Sequence, residues 1–234
     1  MKLLHKVLAA LSACVVLSCQ SVEREDPMET HMLRLQCKAA DDFKLLSRVA
    51  VLNIGLESYD YGLITGHGVP PDRPCQVLDF EGRSAPVSVI SLAQNYKIGA
   101  QTDWALIRFE KINTPRLIRY DLVPFTETTA LDNMRVEFAQ ARGLPENRQS
   151  CNLEILDFSE NERRVSHNCR SVPGQSGTPV TRRIDGRDTL VGLHIGQLWM
   201  LESPRTGRPD KKGYINLFNV ETVDEIKALI ETYS

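Results

Sequence analysis

The strongest constraint on this chain is a succession of short apolar runs, three to eight residues long, each closed by turn formers. Arg48-Val-Ala-Val-Leu-Asn-Ile54, Tyr61-Gly-Leu-Ile-Thr65, Ala85-Pro-Val-Ser-Val-Ile-Ser-Leu92 and Trp104-Ala-Leu-Ile-Arg-Phe109 come first. Asn152-Leu-Glu-Ile-Leu156, Pro179-Val-Thr181 and Leu190-Val-Gly-Leu-His-Ile195 follow. Such runs, rich in β-branched side chains and too short for stable helices, predict strands. Pro70-Pro71-Asp72-Arg73-Pro74 and Asp185-Gly186 supply turns between them. Many short strands without an alternating helical pattern predict an all-β sandwich or a pair of barrels. One helix is expected, over Glu221 to Thr232, because Val220, Val223, Ile226, Leu229 and Ile230 recur at helical spacing.

With 234 residues, 42% of them hydrophobic, the chain can build one large domain or two small barrels sharing a groove. The formal charge is −2, and aromatics are 6% with no basic run interleaved among them, so nothing calls for nucleic acid.

The start reads as an export signal over residues 1–19, in which Lys2 and Lys6 precede an uncharged stretch from Val7 to Leu17. That stretch has eleven residues, short of the roughly 20 needed to span a bilayer. Val16-Leu17-Ser18-Cys19 resembles the lipobox of bacterial lipoproteins, whose cysteine is lipidated and becomes the mature N-terminus. Leu11-Ser12-Ala13-Cys14 fits the usual letters better but leaves a very short apolar region before the cut. Lipidation at Cys19 leaves an even set, Cys37, Cys75, Cys151 and Cys169, suited to an oxidising compartment. An ordinary signal peptide cut near residue 20 is the alternative. The expected product is exported, held at the bacterial cell envelope by a lipid or secreted. Residues 20–32 are polar and charged and read as a tether.

The chemistry begins at Pro173-Gly174-Gln175-Ser176-Gly177-Thr178-Pro179-Val180, a serine between glycines just ahead of a strand. A nucleophilic hydroxyl needs exposure on a tight turn, with backbone N–H groups aimed at the oxygen that becomes negative. The amides of Gly174 and Ser176 are the candidates for that oxyanion hole. Among the five histidines, His5 lies in the leader and His31 in the tether, and His167 falls in a charged stretch that reads as an exposed hairpin. His194 sits within a strand behind the serine. His67 remains as the base, where an apolar strand gives way to the turn Thr65-Gly66-His67. Asp103, directly ahead of the run Trp104 to Phe109, is placed to orient a histidine and stabilise its charged form. There is neither an HExxH pattern nor a clustered Cys/His set, so the sequence calls for no metal and no cofactor.

Taken together, these segments resemble the trypsin-like serine peptidases, and among them the bacterial glutamyl-endopeptidase branch. Thr65-Gly66-His67 looks like that branch's Thr-Ala-Gly-His, Asp103-Trp104-Ala105-Leu106 like its Asp-hydrophobe-Ala-Leu, and Gly174-Gln175-Ser176-Gly177-Thr178-Pro179 like its Gly-Asn-Ser-Gly-Ser-Pro. The separations, 36 and then 73 residues, are close to those usual in that fold. The likeness covers roughly Val49 to Ser234. It implies two six-stranded β-barrels with a C-terminal α-helix, here residues 33–125 and 126–234, joined near Leu122 to Asp132. It also implies a serine endopeptidase with His67, Asp103 and Ser176 as its triad and a polypeptide as its substrate.

The resemblance has departures. Gly68 replaces the cysteine that follows the histidine in animal trypsins, so a disulfide near this site would be Cys37 with Cys75. A second, Cys151 with Cys169, would close the Asn152 to Asn168 hairpin. Gln175 replaces the aspartate that in trypsins pairs with a newly cut N-terminus, so activation by an inserted amine is not expected.

The glutamyl branch carries a hydroxyl residue and a histidine in the pocket that holds the side chain before the cut, and Ser171 and His194 stand at the matching places. A preference for glutamate, then aspartate, is expected, unless Ser171 and His194 merely satisfy each other. Arg170 either adds positive charge at the pocket base or faces solvent. The rival is a protease-fold lipoprotein that binds a peptide or an envelope partner without cutting. An α/β-hydrolase esterase is disfavoured, since Gly174 and Thr178 flank Ser176 at two residues where its elbow needs glycine on both sides.

Overall fold

The computed structural model describes residues 32–39, 42–70, 72–114, 117–126, 134–136, 153–159, 162–168, 171, 173–200 and 210–234. The leader with Cys14 and Cys19, most of the tether, Cys151, Cys169 and Arg170 lie outside them.

Six strands form a closed barrel: β1 (Leu33–Ala39), β2 (Asp42–Val51), β3 (Tyr59–Ile64), β4 (Cys75–Leu78), β5 (Ser84–Leu92) and β6 (Ala105–Glu110), in the order β1-β2-β3-β6-β5-β4. Cys37 and Cys75 face each other on β1 and β4, the pair of strands that closes the barrel, and are joined by a disulfide. The second part holds β7 (Asp121–Leu122), β8 (Met134–Val136), β9 (Leu153–Ser159), β10 (Glu162–His167), β11 (Pro179–Ile184), β12 (Arg187–Met200) and β13 (Asp210–Leu217). They make a 7-stranded mixed sheet ordered β8-β11-β12-β13-β10-β9, with β7 parallel to β12. Read from its β9 end, this path repeats the neighbour order of the barrel, and only a β8–β9 pairing is absent among the described residues.

The apolar runs on β3 and β6, and Leu190 to Ile195 of β12, are continuous because those segments are buried on both faces. Along β6, Ala105, Ile107 and Phe109 point into the barrel beside Leu33, Leu35, Val49 and Val77. Trp104 and Leu106 alternate with them and join Tyr61, Leu63, Leu190, Leu193, Ile195 and Phe218 in a second core shared by both parts. Burying such side chains contributes ~1.5–3 kcal/mol each, so this shared core holds barrel and sheet together. The helix, α1 (Val220–Tyr233), adds Val223 and Ile226 to it, and starts where Asn219 Oδ1 accepts from Thr222 N–H at 2.8 Å. A third core, with Val136, Val165, Val180, Val191, Ile215 and Leu217, belongs to the sheet.

Candidate functional site

The pairing of β3 with β6 sets Ile64 opposite Ala105, so the residues just beyond β3 meet those just before β6. Thr65 leads into a single 3-10 turn, Gly66–Gly68, that carries His67. Asp103 lies across from it, fully buried, while the His67 side chain is 29% exposed. His67 Nδ1 donates to Asp103 Oδ2 at 2.8 Å, the His67 backbone N–H to Oδ1 at 2.9 Å, and the Gly99 N–H to Oδ2 at 2.7 Å. Burial alone pushes the Asp103 carboxyl up. Hydrogen bonds from the His67 ring and the Gly99 and His67 N–H groups, with the charge of His67, outweigh that and hold it below the usual carboxylate range. An ionised Asp103 accepting from Nδ1 leaves Nε2 of His67 as the acceptor, the tautomer a general base needs.

Tyr96 lies beside the turn that carries His67. Its ring occupies the space over Gly66, where a Cβ would come within 2.4 Å of a ring carbon. Burial, and then the negative charge of Asp103, raise the Tyr96 pKa, so the phenol stays neutral.

Ser176 lies half-buried between Gly174 (φ 87) and Gly177 (φ 84), both in the left-handed region that glycine adopts without strain. The loop is fixed from three sides. Thr178 Oγ1 donates to the Gln175 carbonyl at 2.6 Å, and the Gly177 N–H donates to the His194 carbonyl at 2.8 Å. From the barrel, the Arg48 N–H at 2.7 Å and the Ser47 hydroxyl at 2.8 Å both donate to the carbonyl of Ser176. Ser47 Oγ also lies 3.4 Å from Thr65 Oγ1, two residues before His67, so one buried hydroxyl joins the serine loop to the histidine turn. The approach is close enough that a Cβ on Gly177 would fall 2.2 Å from the Arg48 carbonyl oxygen.

Behind this loop, His194 on β12 is 1% exposed. An irregularity in the β12–β13 register lies between His194 and Gly196, the kind of bulge that re-aims a side chain. His194 Nδ1 lies 3.0 Å from His167 Nε2. This corrects the expectation for His167: the residue is 1% exposed, on β10 opposite Gly213 of β13, not on a solvated hairpin. Its ring crosses β13 at that glycine, where a Cβ would come within 2.1 Å of it. Burial pushes His167 down to about 4. Burial also pushes His194 well below the ordinary imidazole value, and the charges of His167 and His67 act in the same direction against a hydrogen bond with the Tyr214 backbone. At neutral pH both rings are uncharged, and one N–H is shared between them. Ser171 is buried at 6% exposure.

The structure therefore pairs His67 with Asp103 directly and ties Ser176 to the same place through Ser47. Sequence reasoning passed over Ser47 and His167. A glycine inside a strand, as at Gly213, signals close approach of another group, which the structure shows to be the His167 ring.

No protein-family model and no curated protein matches the chain.

Proposed function

We propose that this chain is an exported serine endopeptidase of the trypsin-like, two-barrel fold. The observation that carries the reading is the His67–Asp103 pair, an exposed imidazole held at 2.8 Å by a fully buried carboxylate, with the serine loop fixed beside it. In this mechanism His67 Nε2 accepts the proton of Ser176 Oγ as that oxygen attacks a peptide carbonyl. Asp103 holds the ring and stabilises its charge, and the amides of Gly174 and Ser176 receive the oxyanion. His67 then protonates the leaving amine, and water, deprotonated by the same ring, releases the acyl group.

The repeated strand order supports the two-barrel assignment, because a β8–β9 pairing is all that the second sheet needs to match the first. His194, on β12 with His167 behind it, is the candidate donor to a substrate carboxylate, a charge-assisted bond contributing ~1.5–3 kcal/mol. We therefore assign a preference for glutamate, then aspartate, before the cut. The Lys2–Cys19 leader, with its lipobox-like end, supports export and lipid anchoring at Cys19.

Cleavage of a peptide library tests the reading. Wild type should cut after acidic residues, Ser176→Ala should not cut, and His194→Ala should cut without acidic preference. Wild-type cleavage after Arg, Lys or bulky apolar residues would overturn the pocket assignment. Cleavage by Ser176→Ala would overturn the nucleophile.

A further inference from the structure

The turn that presents Asp103 is fastened to the other half of the molecule by two side-chain amides that no step above uses. Asn216 on β13 is 3% exposed, and its Nδ2 donates to the carbonyl of Ala100. Gln101 is 8% exposed, and its Nε2 donates to the carbonyl of Leu217 at 3.1 Å. Residues 100 and 101 thus exchange side-chain and backbone hydrogen bonds with residues 216 and 217, a reciprocal clasp between the barrel's catalytic turn and the last strand of the sheet.

The clasp acts where the carboxylate is set. The Ala100 carbonyl that accepts from Asn216 also accepts the backbone N–H of Asp103, at 2.9 Å. The neighbouring Gly99 N–H donates to Asp103 Oδ2. Asn216 therefore holds the carbonyl that fixes the Asp103 backbone, on the residue next to the one whose amide holds its side chain. Glu225 of α1 fastens the far end of the same loop, accepting from the Gln94 N–H at 2.6 Å. Strand β13 also runs beneath the histidine pair, with Ile215 opposite His194 and Gly213 opposite His167. One strand thus carries both the floor of the proposed pocket and the grip on the acid of the triad.

We infer that Asn216 and Gln101 are positioning residues that hold Asp103, and through it His67, in register with Ser176. This rests on the serine-peptidase reading for its catalytic consequence and on the structure alone for its geometry. A side chain that served only to join the two halves would affect folding without regard to Asp103. A positioning residue acts through Asp103 and loses its effect once Asp103 is disabled.

The test removes each donor with a side chain of similar size, Asn216→Leu and Gln101→Met, in wild type and in Asp103→Asn. Two readouts are taken: the rate of labelling by a fluorophosphonate, and the proton NMR resonance of His67 Nδ1–H. Misplacement on the scale of 1 Å lowers a rate by ~10²-fold, so either variant should slow wild-type labelling by up to that factor and move the His67 resonance. Neither should slow labelling further in the Asp103→Asn background. Equal slowing in both backgrounds, or an unmoved resonance in a folded variant, would overturn the clasp. If Asn216→Leu does not fold, Gln101→Met carries the test alone. Should wild type take no label, the serine-peptidase reading fails, and the resonance still decides whether the clasp holds His67.

Discussion

His167 Nε2 and His194 Nδ1 lie 3.0 Å apart with both rings buried, joined across strand β13 at a glycine that leaves room for them. The pair makes stability depend on pH in a defined direction. Burial lowers the folded pKa of His167 to about 4, so between that value and its ordinary value the unfolded chain binds the proton that the folded chain refuses. Stability is then complete above roughly pH 6.5 and erodes as the pH falls, with a total loss from this group of about 3 kcal/mol. Chemical denaturation at pH 7.5 and pH 5 should show His167→Gln losing about 2 kcal/mol less than wild type over that interval. Parallel losses in the two proteins would mean that His167 titrates normally.

Ser47 offers a smaller and more local test. Its hydroxyl is one of two barrel donors to the Ser176 carbonyl, the other being the Arg48 N–H, so Ser47→Ala leaves that carbonyl a single barrel donor. The lost hydrogen bond is worth about 1 kcal/mol. If all of it bears on the placement of Ser176, kcat should fall about 5-fold with KM unchanged. A lower melting temperature with unchanged kcat would make the hydroxyl a fastening of the barrel alone.

The Cys37–Cys75 bridge spans the β1–β4 pairing that closes the barrel, and its partners are 38 residues apart in sequence. Removing a cross-link of that span should lower stability by about 4 kcal/mol. Guanidinium unfolding of Cys37→Ser/Cys75→Ser should show that loss, and a reducing agent should produce the same shift in wild type. An unchanged midpoint in both would mean that the bridge contributes nothing to stability.

The members of the candidate site were legible because they sit in distinctive local settings. His67 follows an apolar strand and a small-residue turn, Asp103 precedes the run Trp104 to Phe109, and Ser176 stands between glycines. What brings them together was not legible. The Ile64–Ala105 register and the reach of Ser47 to Ser176 are long-range facts with no local pattern. β3 and β6 were readable as continuous apolar runs because both of their faces are buried. Reading by such runs passes over β1, where Leu33, Leu35 and Cys37 are buried and alternate with the more accessible Arg34, Gln36 and Lys38. His167 was misread for a related reason, since the neighbouring Arg163 and Arg164 give its strand the composition of a solvated hairpin. Asn216 and Gln101 carry no signal of their own, as a buried amide is recognised only by the carbonyl it meets.

The central claim is that Ser176 is a nucleophile activated by His67 and Asp103, and intact-mass analysis after reaction with a fluorophosphonate tests it most directly. Wild type should gain one adduct, located on Ser176 by peptide mapping. Ser176→Ala should gain none, and Asp103→Asn should react ~10⁴-fold more slowly. A folded wild type that gains no adduct, or an adduct that persists in Ser176→Ala, would contradict the account.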